Sequence, residues 1–169
     1  VKKENVAIHE AGHAVAHCRL DLDVGFCTIN PTEEKLGSLS GEGAGHVSDS
    51  DGAKNMVLAY CAGYAAMIAD GKPEDEACRG CGDDFENAEQ IISFWTLPGN
   101  LDVWKKRAVE LMSKPENVRA VEVIAAKLLE FETIDGDHLM VLVEVADGVS
   151  TKEDYERYLV VREAAGFRP

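Results

Sequence analysis

The 169-residue chain has no uninterrupted apolar run that approaches the ~18 residues of a membrane-spanning helix. Its N-terminus lacks the charged-then-apolar layout of a secretory signal. Positive charge is scarce: 17 Lys and Arg stand against 31 Asp and Glu, for a net charge of −14. No basic stripe stands out, which argues against nucleic acid as a partner and against docking on anionic membranes. The five cysteines are an odd number, and only Cys78 and Cys81 lie close in sequence. This is not a secreted disulfide framework, and a reducing, cytoplasmic setting is expected. Internal repeats and linkers are missing as well. Because the chain begins at Val1 rather than Met, an upstream anchor or partner domain is left open.

What is present is an ordinary globular balance, 46% apolar and 28% charged. A chain of this size buries roughly 70% of its unfolded surface and needs no metal merely to fold. Residues 3–20 carry Ile8, Ala11, Val15 and Cys18 at helical spacing, with small alanines on the other faces. A helix apolar nearly all round is expected to be buried. Residues 24–30 fit a short strand with Val24, Phe26 and Thr28 on one face. Residues 31–45 fit a loop or long hairpin connection, and 45–48 a short second strand. Further helices are expected over 51–70, 83–95, 101–113 and 116–131, then one from about Asp137 and a polar one over 151–162. Gly71 to Gly82 is expected to be a break, and Thr133 to Gly136 a turn. The expected fold class is mainly α, one helical domain with a small two- or three-stranded β-sheet. Trp95 and Trp104 flank a turn and are expected to pack helices together. Tyr60, Tyr64 and Met67 fit a core face rather than a cofactor box.

The first helix carries His9-Glu10-Ala11-Gly12-His13, the H-E-x-x-H pattern. Positions i and i+4 on a helix differ by about 40° in direction and about 6 Å in height. Two imidazoles there converge on one point, at the ~2.1 Å nitrogen distance that zinc takes. Glu10 can then reach a water in the open position of the metal and act as general acid/base. A titratable trio inside an apolar helix is costly unless something pairs it.

A catalytic zinc wants three protein ligands. His17 lies about 12 Å from His9 along the helix axis, too far to share one ion. It fits a helix-end histidine near the negative pole of the helix. The long H-E-x-x-H-x-x-G-x-x-H pattern fails, because position 16 is Ala and position 19 is Arg. The third ligand must come from elsewhere. Asp83, Asp84, Glu86, His46 and His138 are the candidates, and Asp84 alone would serve equally well as a helix N-cap.

At this point the residues resemble a known family. Asn5-Val-Ala-Ile-His-Glu-Ala-Gly-His-Ala-Val-Ala resembles the active-site helix of FtsH-type zinc metalloproteases. Val24 to Pro31 resembles the strand that follows it, and Cys61-Ala-Gly-Tyr-Ala-Ala is similar to the A-G-x-A-A-E helix of that family. Gly82-Asp-Asp-Phe-Glu-Asn-Ala resembles its S-N-D-[IFL]-x-x-A segment. Leu128-Leu-Glu-Phe-Glu-Thr-Ile-Asp-Gly-Asp-His-Leu resembles its L-L-x-x-E-T-[IL]-x-G-x-x-[IL] stretch. The resemblance spans roughly residues 5–140. It implies a helical, zincin-like peptidase domain over 1–145; residues 146–169 have no counterpart in that family and are expected, from their polar helical pattern, to extend the same domain. It further implies one zinc ion per chain on His9, His13 and Asp84, with Glu10 as general acid/base. An edge strand near Gly45 to Ser48 would pair with the backbone of an extended polypeptide substrate.

The chain departs from that pattern in several places. Met67 stands where the family usually has Glu, and Cys81 and Gly82 replace the small polar residues before the third ligand. No G-x-x-x-x-G-K-[ST] segment occurs, so the ATPase module of the family is missing from this chain. Folded substrates would then require a separate ATPase partner, while a homo-oligomer would follow the family's habit. The expected function is zinc-dependent endopeptidase action on extended or unfolded polypeptide. The alternatives are a catalytically weak, metal-binding scaffold or interaction domain derived from a peptidase, and a zinc hydrolase with a non-peptide substrate. Cys78-Arg-Gly-Cys81 has no second pair with which to build a structural zinc site. A disulfide between its two cysteines would distort the segment that carries Asp84 and make activity redox-sensitive.

Overall fold

The computed structural model describes residues 2–31, 37–40 and 47–167. Among these the chain forms eight helices and three short strands. In chain order they are α1 (Lys3–Arg19), β1 (Phe26–Thr28), β2 (Ser38–Ser40), α2 (Ser50–Ala69), α3 (Glu74–Ala77), α4 (Gly82–Phe94), α5 (Leu101–Met112), α6 (Pro115–Phe131), β3 (Thr133–Asp135), α7 (Gly136–Ala146) and α8 (Lys152–Ala164). The fold is mainly α with a small sheet. No helix among the described residues is long and apolar enough to cross a membrane.

The two central helices, α1 and α2, are buried on nearly all sides because their facing residues are small. On α1 Ala7, Ala11, Ala14 and Ala16 are fully buried, and on α2 so are Ala62 and Ala65. Gly12 sits at the crossing: a Cβ there would meet the Ala62 carbonyl oxygen at 2.6 Å. The crossing therefore brings the two backbones closer than any larger side chain allows. α6 packs on the other flank of α1, while α4 and α5 pack on α2. Trp104 on α5 is almost fully buried among them, whereas Trp95 is only half-buried at the end of α4.

The sheet is antiparallel, in the order β2-β1-β3. Phe26 pairs with Ser40 and Asp135, and Thr28 with Ser38 and Thr133. Cys27 is the core-facing residue of β1, and Phe26 is 41% exposed. The strand expected over 24–30 is confined to Phe26–Thr28. Β-pairing also appears where a loop and a turn were expected, at β2 and β3. Both strands are three residues long and largely polar. They become strands by pairing with the two edges of β1, not by their own propensity. α6 ends at Glu132, whose φ of 63° turns the chain, and the Glu132 carbonyl accepts from Ile29 N–H at 2.9 Å. Of the expected strand at 45–48, Gly45 and His46 lie outside the described residues, and Val47 and Ser48 are not in a strand. α3 is a single short turn of helix inside the expected break.

Candidate metal centre

The site forms where α1, α2 and α4 meet. His9 and His13 stand one turn apart on α1, and their Nε2 atoms are 3.0 Å from each other. Asp84 is the third residue of α4, and its Oδ2 lies 3.3 Å from His9 Nε2 and 3.4 Å from His13 Nε2. The N-cap position of α4 is held by Cys81, so Asp84 is released from capping and aims its carboxylate at the imidazoles. Three donor atoms thus form a triangle with sides of 3.0–3.4 Å. A tetrahedral ion with bonds of ~2.0–2.1 Å has ligand–ligand edges of about 3.3 Å. The triangle fits one face of such a tetrahedron.

Second contacts orient these rings. His13 Nδ1–H donates to the Ala59 carbonyl on α2 at 2.8 Å, which turns Nε2 toward Asp84. Gly63, one turn further along α2, lies directly against the imidazoles. A Cβ there would meet His13 Nε2 at 2.5 Å and His9 Cε1 at 2.6 Å. Glu10 is 6% exposed, and Gly37, just before β2, packs on its carboxylate: a Cβ at Gly37 would meet Glu10 Oε1 at 2.7 Å.

The electrostatics favour positive charge at this point. Burial pulls the His13 pKa down, but the Asp84 carboxylate, then Glu10, outweighs it and raises His13 to about 9. Burial likewise would raise the Asp84 carboxyl, yet His13 and His9 hold it well below the usual carboxylate range. Carboxylates set against imidazoles are a setting in which a metal ion can replace a proton.

A further donor escaped the sequence reading. Cys81 is fully buried beside His9, with Sγ 4.0 Å from His9 Nδ1. Donor atoms of His9, Cys81 and Asp84 lie within 4.8 Å of one another, and this group could hold a metal ion. Burial, then Asp84, pushes the Cys81 thiol up to about 12, and its S–H donates to the Ala77 carbonyl at 3.1 Å. Cys78 and Cys81 are both free thiols. The signal available in the sequence was the spacing of Cys81, three residues before Asp84.

The other candidates stand apart from the triangle. Asp83 and Glu86 are exposed on α4, where Gln90 Nε2 donates to Glu86 at 3.4 Å. His17 is buried, and its Nδ1–H donates to the Asp23 carbonyl at 2.8 Å. That capping contact accounts for it at the end of α1. His138 is fully buried on α7 and shares a 2.9 Å hydrogen bond with the Tyr155 hydroxyl of α8. His46 lies outside the described residues. Met67 is buried on α2, and Tyr64 packs edge-on against Phe85, so this face belongs to the core. No protein-family model and no curated protein sequence matches the chain.

Proposed function

We propose that the protein is a zinc-dependent endopeptidase that cuts extended or unfolded polypeptide, with one zinc ion per chain on His9, His13 and Asp84. The observation that carries this reading is the 3.0–3.4 Å triangle of two Nε2 atoms and one carboxylate oxygen, with Glu10 next to the first ligand on the same helix. The donor set of two imidazoles and one carboxylate suits zinc and leaves its fourth position open. Bound there, zinc would supply Lewis acidity, which acidifies water and polarises a carbonyl.

The chain's own residues do the rest. The Glu10 carboxylate accepts the proton of the attacking water and returns it to the departing amide nitrogen. Glu10 is nearly buried, so its charge acts in a medium where water screens it little. Asp84 and the Ala59 carbonyl hold the two rings in place, so that little reorganisation accompanies reaction. The polypeptide preference is supported by β2, which pairs with β1 on one side only among the described residues. Gly37 leads from the Glu10 carboxylate straight into that strand. An extended chain can add to the open edge through backbone hydrogen bonds, which makes side-chain selectivity loose.

The test combines metal analysis with cleavage of an unfolded, casein-like substrate, for the wild type and for Glu10→Gln. The expected outcome is zinc in both proteins and cleavage by the wild type alone. Zinc in both with cleavage in neither would replace this reading with that of a metal-binding scaffold.

A further inference from the structure

The zinc reading leaves one feature of the site without a role: a fully buried thiol beside Nδ1 of His9. His9 presents Nε2 to His13 and Asp84, at 3.0 and 3.3 Å. Its other nitrogen, Nδ1, lies 4.0 Å from Cys81 Sγ. In the companion ring the same nitrogen, His13 Nδ1, donates to a backbone carbonyl at 2.8 Å. A histidine that gives one nitrogen to a metal nearly always donates the other N–H to an acceptor, which fixes tautomer and ring direction. Oxygen serves that purpose at His13. At His9 the partner is sulfur.

The thiol is itself held in the right sense. Its S–H donates to the Ala77 carbonyl at 3.1 Å. That contact uses the thiol's one donor, so toward His9 the sulfur can only accept. Cys81 also occupies the N-cap position of α4, and the backbone N–H of Phe85 donates to its carbonyl at 2.9 Å. The same residue therefore starts the helix that delivers Asp84 and touches the ring that Asp84 faces. Its sulfur lies on the Nδ1 side, whereas both other donors converge on Nε2. This placement suits an acceptor behind the ring better than a fourth ligand in front of it.

We propose that Cys81 is a positioning residue for the metal centre: its thiol sulfur accepts the Nδ1–H of His9, fixes that ring with Nε2 toward the metal, and does not itself bind the ion. The inference rests on the zinc reading of the triangle. It also explains why a cysteine is compatible with a position one turn of chain ahead of a ligand. Held by Ala77 and buried, the sulfur closes the site from behind and leaves the open coordination position to solvent and substrate.

The experiment compares the wild type with Cys81→Ala, Cys81→Ser and Asp84→Asn. Zinc affinity is measured by competition with a chromophoric chelator, and the melting temperature is measured in chelator to check the fold. Cobalt(II) is used as a spectroscopic stand-in for zinc. The expected result is a loss of about tenfold in zinc affinity for Cys81→Ala, in the range seen for residues that orient ligating histidines. Cys81→Ser, which keeps a donor for Ala77 and an acceptor for His9, should recover most of it. The cobalt form of the wild type should show tetrahedral ligand-field bands without a thiolate-to-metal charge-transfer band. A charge-transfer band that disappears in Cys81→Ala would overturn the proposal by making the sulfur a ligand. Equal affinities for wild type and Cys81→Ala, alongside a large loss in Asp84→Asn, would overturn it while leaving the triangle intact. Failure of the wild type to bind zinc would overturn both readings together.

Discussion

His13 and His138 are both buried, 7% and 0% exposed, and their electrostatic fates are opposite. His13 is raised to about 9, and His138 is pushed down to about 4. Burial works against the proton in both. At His13 it is outweighed by the carboxylates of Asp84 and Glu10. At His138 burial is reinforced by Arg162, and the acid that caps its helix, Asp135 at the end of β3, is already engaged by the Arg162 guanidinium. The remaining neighbours of His138 are the rings of Phe131, Tyr155 and Tyr158. Lys127 from α6 opposes its charge as well, with Glu130 acting the other way. Desolvation is therefore a cost common to both regions, and the sign of the charges set against each ring decides the outcome. One region sets the carboxylates of Asp84 and Glu10 against His13 and is suited to a cation. The other disfavours even a proton and serves as packing between α7 and α8.

The comparison breaks first at Asp84. Asp84→Asn removes the charge that separates the two regions while keeping the side-chain shape. Zinc affinity should fall by about 100-fold or more, since a neutral amide oxygen replaces an anionic ligand. In metal-stripped protein, NMR titration should find the His13 pKa far below its wild-type value of about 9. The His138 titration should be unchanged. An unaltered zinc affinity would move the third ligand elsewhere.

The two histidines also give pH slopes of opposite sign, measurable as melting temperature against pH in chelator. His13 has a folded pKa above its unfolded value of 6.5, so its contribution is fully present below pH 6.5 and is lost as pH rises through about 9. His138 has a folded pKa of about 4 against 6.5 unfolded, so the unfolded chain takes the proton first and stability is lost as pH falls from 6.5 toward 4. Integrated over that window the second effect amounts to about 3 kcal/mol. His138→Gln should flatten the acid limb relative to wild type, and Asp84→Asn should flatten the alkaline limb. Parallel curves for all three proteins would remove the electrostatic distinction.

The sequence made the helical scaffold and the α1 half of the site legible, because both depend on local periodicity. H-E-x-x-H on an alanine-rich helix places two rings by geometry alone. Asp84 was one of several carboxylate and histidine candidates on spacing, and the resemblance singled it out. Only the packing of α4 on α2 brings it to the rings. β2 and β3 were illegible because Ser38-Leu39-Ser40 and Thr133-Ile134-Asp135 acquire strand geometry from β1 and not from themselves. In the sequence Cys81 is half of a C-x-x-C pair with Cys78, and nothing local links it to His9, which lies 72 residues away. His138 read as a lone histidine because Tyr155 lies 17 residues away on a separate helix.

A smaller effect should follow at Gly63, where the helix backbone touches the imidazoles of the charged region. Gly63→Ala would place a Cβ 2.5–2.7 Å from atoms of His13 and His9. α2 must then withdraw or the rings must rotate, at about 1–3 kcal/mol for an overpacked contact. Zinc affinity is expected to drop about tenfold, by the same loss of ring orientation that outer contacts normally prevent. Gly12→Ala would meet the Ala62 carbonyl instead, at 2.6 Å. It should lower stability by a similar amount with less effect on affinity. Equal affinity losses in the two variants would mean that the crossing, and not the contact with the rings, sets the site.

The smallest effect tests whether the two regions are independent. α8 reaches His138 through Tyr155, and its start is fixed by a capping box between Thr151 and Asp154. Thr151 Oγ1 accepts from Asp154 N–H at 3.1 Å, and Asp154 Oδ2 accepts from Thr151 N–H at 3.1 Å. Thr151→Ala removes the first of these and should cost about 1 kcal/mol. For a chain of this length that corresponds to a fall of about 2–4 °C in melting temperature. Hydrogen exchange should quicken in α8 first, because α8 packs mainly on α7. Zinc affinity should stay at the wild-type value, since α1, α2 and α4 build the candidate metal centre without α8. A matching loss of affinity would show that the aromatic nest around His138 supports the distant triangle, and the separation between a cation-seeking and a proton-rejecting region would no longer be a separation of functions.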